Sequence, residues 1–363
     1  MNETILHISL IANIGPSVVE KLARLVPYER FYELYSWKLQ DFTHRAGLSE
    51  RAADVVFNGL KDTASLQTEL ALISKHAIKW VTYDDPSYPN VLKSTHLPPP
   101  VLYWLGSDLK VVDRSIAMVG ARKANVYGQR AIEYLVPDLV ASGWTIVSGG
   151  AIGADTMAHQ ATIKCGGATV AVIGSGLLKP YPSSNVRLFN TMIERGGIVM
   201  SPFPLTMAGL PGNFPARNRI IAGLSQATVV VQAAEKSGAL ITAMFALEQG
   251  REVCAVPGHI NDQLSAGCHA LIRDGAVLVS SAHDIITAVC GIEAPQLEPL
   301  EPRPAQSQEV QDPIVKACAQ PQLFDDLSHL LGYDESHLQD RLMTLQLEGF
   351  LEQDIMGRWC STI

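Results

Sequence analysis

The sequence has no apolar run approaching the roughly 18 residues a membrane-spanning helix needs, so no membrane role is expected. It opens without a charged segment leading into an apolar stretch, and no secretory signal is expected. Its six cysteines, at 165, 254, 268, 290, 318 and 360, form no CxxC pair. That argues against a zinc ribbon and against a disulfide framework, and points to a reducing cytoplasm. His259 and His269 lack metal-ligand spacing, and His159 in "GADTMAHQ" reads as a hydrogen-bonded structural histidine. No metal site is expected.

Two enzyme signatures are also missing. A dinucleotide oxidoreductase needs GxGxxG after its first strand and an acidic residue about 20 positions on. "SGGAIG" lacks the residue between the first two glycines, and no suitable acid ends the next strand. A nucleotide hydrolase needs a Walker loop, a metal cluster or a positioned carboxylate. The carboxylates near the strand ends are chiefly Asp155 and Glu235, each beside a helix start where a cap or dipole role explains it. The residues alone support neither enzyme class. The alternative to a binding role is a nucleotide or nucleoside-monophosphate enzyme of phosphoribohydrolase type, or a nucleotide sensor, in the same crevice.

What is present is 363 residues, enough for two or three domains, with a net charge of −8. The charge is uneven. Residues 1–80 hold 9 basic and 9 acidic side chains, residues 111–290 hold 13 and 11, and residues 312–363 hold 3 and 9. An anion-binding face belongs in the middle section.

Residues 1–80 read as short helices joined by tight turns, a SAM-like or helix-hairpin-helix-like domain. Ser17 and Glu20 have capping-box spacing, and another helix starts at Ser49. Pro16 removes one backbone donor from the first hairpin, so a packing or protein-contact role ranks above DNA binding. Residues 84–100, "DDPSYPNVLKSTHLPPP", read as a proline-rich linker before the extended "VLYWLG". From 115 to 290, seven short apolar runs alternate with amphipathic segments: "SIAMVG", "GWTIVSGG", "GATVAVIG", "GIVMSP", "ATVVVQ", "EVCAVPG" and "AVLV". This predicts a parallel sheet with helices on both faces. Residues 291–311 read as a Pro/Glu/Gln linker. Residues 312–363 have the outline of a winged helix, three helices then two strands turning at Met356-Gly357.

In such a sheet, ligands bind beyond the carboxyl ends of the strands. Five strand ends carry small residues or turns, several before helix starts, where free N–H groups hold phosphates. They supply Arg122 and Lys123 after the first run, and Ser148, Gly149 and Gly150 after the second. The third supplies Gly174, Ser175 and Gly176, followed by Lys179, Tyr181 and Asn185 in "KPYPSSN". Ser237 and Gly238 follow "VVVQ", and Pro257-Gly258 follow "VCAV". The helix "FPARNRIIAGLS" leads into "ATVVVQ", so it starts at the same edge. Arg217 shares a face with Ile220, Ile221 and Leu224, placing it at the outer end of the inward stripe. Phe214, Arg217, Asn218 and Arg219 thus join the crevice, with Phe214 and Tyr181 as stacking platforms for a single strand. Each has a plainer reading. Arg217 can pair with a carboxylate, Phe214 can staple the helix, and the glycines can serve close packing.

The stretches "VGARKANVYG", "IVSGGAIGADTMAH", "AVIGSGLLKPYPSSN", "FPARNRIIAGLS", "SGALITAMFALEQGREVCAVPG" and "GCHALIRDGA" resemble, in order, the motifs of the DprA/Smf family, the DNA-processing proteins of bacterial transformation. The resemblance covers about 84–290. It implies an extended Rossmann-like core over 81–290, with 81–114 as its lead-in, that forms a homodimer and binds single-stranded DNA. It also implies delivery of RecA recombinase onto that DNA, with no cofactor and no catalytic step. The implied DNA pocket comprises Arg122, the glycine turns and "FPARNR". Related phosphoribohydrolases carry PGGxGTxxE, where this chain has "EKSGALITA" and "PGHIND". Two positions depart from the family, Pro202 and Gln232, each where glutamate is usual. The acidic tail is expected to contact protein rather than DNA.

Overall fold

A computed structural model describes residues 2–291, 312–347, 350–354 and 357–361. The expected linker at 292–311 lies outside the described residues, as does Met356 of the expected turn. All seven apolar runs are strands: β3 (Ser115–Val119), β4 (Thr145–Ser148), β5 (Thr169–Val172), β6 (Ile198–Ser201), β7 (Ala227–Val230), β8 (Glu252–Ala255) and β9 (Val277–Leu278). They pair in parallel, so their carboxyl ends share one edge. β1 (Lys79–Thr82) and β2 (Val101–Gly106) extend the sheet antiparallel, giving the order β1-β2-β6-β5-β4-β3-β7-β8-β9.

Successive side chains of a strand face opposite sides, and here both sides are covered. Ile116 and Met118 of β3 pack with α6 (Val126–Ala141), α7 (Ala154–Lys164) and α12 (Ala282–Cys290). Ala117 and Val119 pack with α9 (Asn213–Leu224) and α10 (Gly238–Glu248), and Cys268 of α11 (Ala266–Arg273) joins that layer.

The amino-terminal helices α1 (Glu3–Leu10), α2 (Pro16–Ala23), α3 (Glu50–Gly59) and α4 (Thr63–Lys75) belong to the same compact unit as the sheet, Met1–Ala294. Their core, with Ile5, Phe31 and Phe42, runs on into Tyr103 of β2 and Phe189 of α8 (Val186–Glu194). Ser49 caps α3 as expected. The Ser17–Glu20 capping box does not form: the N-cap is Gly15, two residues before Ser17, and α2 starts at Pro16, whose fixed φ suits the first helical position. The linker reading of 84–100 also fails. Tyr88 and Leu92 are buried, Tyr88 donates to the Pro99 carbonyl, and 90–93 form the short helix α5 (Asn90–Lys93).

The second unit, Pro295–Ile363, contains α13 (Pro313–Ala317), α14 (Phe324–Leu331) and α15 (Glu335–Leu347), then the antiparallel pair β10 (Leu351–Gln353) and β11 (Trp359–Ser361). Its own small core holds Ile314, Leu327, Leu342 and Trp359. Among the described residues no helix is long and apolar enough to cross a membrane.

Candidate functional site

The chain runs outward from β3 through β4 and β5 to β6, then returns to place β7 on the other side of β3. Connections leaving β3 and β7 therefore diverge and leave a crevice at their carboxyl ends. A groove of about 720 Å³ occupies that place. One wall is the turn after β3, with Arg122 and Lys123, and the opposite wall is the start of α10, with Ser237 and Gly238. The first turns of α9 supply Phe214, Arg217 and Asn218. A recess of about 40 Å³ adjoins it, bounded by Arg122, Gly149, Ile152, Tyr181, Phe214 and Arg217.

Arg217 lies deeper than its sequence position suggested. It is only 5% exposed and forms part of the groove floor rather than its mouth. Its Nη1 donates to the Val172 carbonyl at 3.1 Å and stands 4.0 Å from Asp155 Oδ2, while its buried Nε has no partner. Asp155 is not simply a helix cap. Its Oδ2 reaches back to accept the N–H groups of Gly149 and Ala151 at 3.1 and 3.2 Å. The Gly149 N–H, which the glycine-turn reading expected to be free, is therefore engaged. Gly149 must lack a side chain here, because a Cβ would overlap Arg217 Nη1.

Burial pushes the Asp155 carboxyl up, against the pull of Arg217 and of its N–H donors. Burial also lowers the Arg217 guanidinium, and repulsion from Arg122 acts in the same direction. Arg217 thus faces one buried carboxylate that is already hydrogen-bonded, and Arg122 repels the guanidinium. A buried cation so incompletely matched is costly unless an anion completes its shell. Beneath it His159 is fully buried and bonded to Thr169, the structural role expected of it.

The aromatic platforms stand together at the rim. The Tyr181 and Phe214 rings are 5.6 Å apart at 53°, and the Arg122 guanidinium lies 5.7 Å from the Phe214 ring centre. Phe214 also covers Gly174, which brings that turn against the recess wall.

Other expected site residues lie elsewhere. Ser148 donates to the Met118 carbonyl and is fully buried. Gly150 rests on Phe189. Ser175 is buried and accepts the Tyr181 N–H, while Gly176 is wedged against the Pro204 and Leu205 carbonyls. Asn185 is buried and ties the Gly150 carbonyl to the Thr156 hydroxyl. Lys179 is exposed but lines neither the groove nor the recess. Arg219 turns away onto Phe245, 4.8 Å from its ring centre. Two positions along a helix are about 200° apart, so the spacing of Arg217 and Arg219 already placed them on opposite faces.

Sequence reasoning missed the hydrophobic rim. Ile152 is 56% exposed at the recess, and Leu210 is 53% exposed just ahead of Pro211 on the groove. It also left open what Gln232 does. Its Oε1 accepts the Asn125 N–H and its Nε2 donates to Asn125 Oδ1, fixing the residue that caps α6. A carboxylate could not donate, so the neutral amide makes a two-way clasp.

Comparison with known proteins covers the same part of the chain. The family described as DNA recombination-mediator protein A matches residues 79–290, the sheet and its groove. DNA processing protein DprA of Bacillus subtilis is 42% identical over 218 residues, covering 60% of this chain and 73% of that one. The X-ray structure of DprA from Streptococcus pneumoniae superposes with a TM-score of 0.68 at 33% identity, covering 80% of this chain and 98% of that one. DNA processing protein A from Helicobacter pylori, solved for its single-stranded DNA binding mode, gives a TM-score of 0.52 at 26% identity, covering 59% of this chain and 96% of that one.

Proposed function

Because this chain belongs to the DprA/Smf family of DNA recombination-mediator proteins, we propose that it binds single-stranded DNA in the β3–β7 groove and passes that strand to RecA. The observation that carries this reading is Arg217, buried in the groove floor with an unpartnered Nε and 4.0 Å from its carboxylate. A backbone phosphate at that point completes its shell, and Arg122 gives it a second cation. Phe214 and Tyr181 at the rim offer ring faces to bases, which every base can use, so binding has little sequence preference. The role is binding without catalysis. Asp155, the carboxylate of the groove lining, is already engaged by two backbone donors and by Arg217, which leaves it poorly placed as a general base.

Around this centre the remaining roles follow the family. The protein works in the cytoplasm, during uptake and recombination of DNA. It acts as a homodimer through the sheet domain, where α10 exposes Met244 and Leu247 and the edge strand β9 exposes Leu278. The amino-terminal helices are SAM-like and serve packing, and the carboxyl-terminal unit is a winged helix that contacts protein. A gel shift with labelled single- and double-stranded oligonucleotides over a salt series tests the core of this. Single strands should bind more tightly, and affinity should fall steeply as salt rises. Preference for duplex, or turnover of mononucleotides abolished by Glu235→Gln, would contradict it.

A further inference from the structure

A second groove lies close along the chain to the loops that bound the recess beside Arg217. Those loops, 149–152 and 181–182, lead into this groove of about 460 Å³ between α7 and α8. Asn185, which lines this outer groove, donates to the Gly150 carbonyl and the Thr156 hydroxyl, so the loop bordering the recess is tied to the groove wall. The outer groove follows α7 from Thr156 to Lys164, about 12 Å of helix.

Its chemistry matches the inner groove. Lys164 and Arg187 line it with Gln160, Ser184 and Thr191, and no aspartate or glutamate does. No ion pair is formed by Lys164 or Arg187 with any described carboxylate. Arg187 sits in the first turn of α8, where the helix dipole disfavours a cation. Across inner groove, recess and outer groove the lining holds Arg122, Lys123, Lys164, Arg187 and Arg217 against Asp155 alone. In a chain of net charge −8, these linings are strongly biased toward positive charge.

We propose that the α7–α8 groove is a second binding segment for the same single strand, which leaves the β3–β7 groove past Tyr181 and runs along Lys164 and Arg187. The inference rests on the single-strand reading of the inner groove and extends it to longer DNA. The outer groove grips phosphates, through two flexible cations and neighbouring hydroxyls, and reads no sequence.

The test compares a short oligothymidylate of about 6 nucleotides with a long one of about 20, spanning the usual range of single-strand site sizes. Both are titrated into the full-length protein over a salt series by fluorescence anisotropy. The double variant Lys164→Glu/Arg187→Glu should bind the long oligonucleotide at least ten-fold more weakly. Its salt slope on the long oligonucleotide should drop by about 1.4, two neutralised phosphates at about 0.7 each. Its affinity for the short oligonucleotide should stay within two-fold. Lys110→Glu/Arg130→Glu, two reversals at exposed residues that line neither groove, controls for net charge. Equal weakening for both lengths, matching that control, would overturn the outer segment, as would no change for either. Lys164→Gln/Arg187→Gln should show the same length-dependent loss in smaller degree, and its absence counts against the segment. If the wild-type protein binds neither oligonucleotide, the inner-groove reading itself fails and the extension falls with it. A failure confined to the double variant leaves the inner reading standing.

Discussion

Two places along one sheet edge look alike in sequence and differ in the fold. Gly120-Ala121-Arg122 after β3 and Gly174-Ser175-Gly176 after β5 are both small-residue turns at the carboxyl end of a parallel strand. The first opens onto the groove. The second is filled by protein: Gly176 donates to Met207, Leu178 donates to Leu205, and Phe214 covers Gly174. A glycine at a strand end marks close approach, and either a ligand or another part of the chain can be what approaches. The topological switch point decides which, because connections diverge only beside β3 and β7.

Substituting a glycine in each region separates the two cases most sharply. Gly176→Ala drives a Cβ into two backbone carbonyls that have no side chain to move aside, and should destabilise the fold by about 3 kcal/mol. The folded fraction should keep its DNA affinity within about three-fold. Gly149→Ala displaces Arg217 instead and should weaken single-strand binding by about 1.5–3 kcal/mol, the scale of a charge-assisted hydrogen bond. Thermal unfolding and anisotropy titration on both variants check this, and identical behaviour would erase the distinction.

Phe214 borders both regions, covering Gly174 and lining the groove. Phe214→Ala should weaken binding by about 1–3 kcal/mol if a base stacks on it. A loss of stability with unchanged affinity would assign the ring to the closed region.

The floor beneath Arg217 has an acid signature. Burial, and secondarily Arg217, push the His159 pKa down from 6.5 to about 3. The unfolded chain then takes up a proton that the folded chain refuses, so this site's stability is full above pH 6.5 and declines toward pH 3. The decline should approach about 1.4 kcal/mol per pH unit. Urea unfolding of wild type and His159→Gln at several pH values checks it, the variant losing that share of the slope. At the small end, Arg219→Ala should cost about 0.5–1 kcal/mol of stability through its packing on Phe245 and change DNA affinity less than about two-fold.

Much of this was legible in the chain. Strands buried on both faces need β-branched and small apolar residues at nearly every position, and all seven parallel strands announce themselves that way. The edge where Arg122, Phe214 and Arg217 meet followed from strand order and helix spacing. What was hidden depends on partners distant in sequence. β1 (Lys79–Thr82) sits at the end of a helical stretch and is a strand because β2 pairs with it. The filling of the β5 turn by residues 204–207 has no local signal. Asp155 has the position of a helix-dipole residue, and only the folded loop shows it reaching back to Gly149. A carboxylate in the first helical turn after a glycine loop is the pattern that could have suggested it.

The most direct test of the central claim is the salt dependence of single-strand binding by Arg122→Ala. Arg122 is exposed and its removal should leave the unfolding temperature unchanged. The groove account predicts an affinity reduced about ten-fold and a salt slope lowered by about 0.7, the share of a single neutralised phosphate. A variant with unchanged affinity and unchanged slope would contradict it.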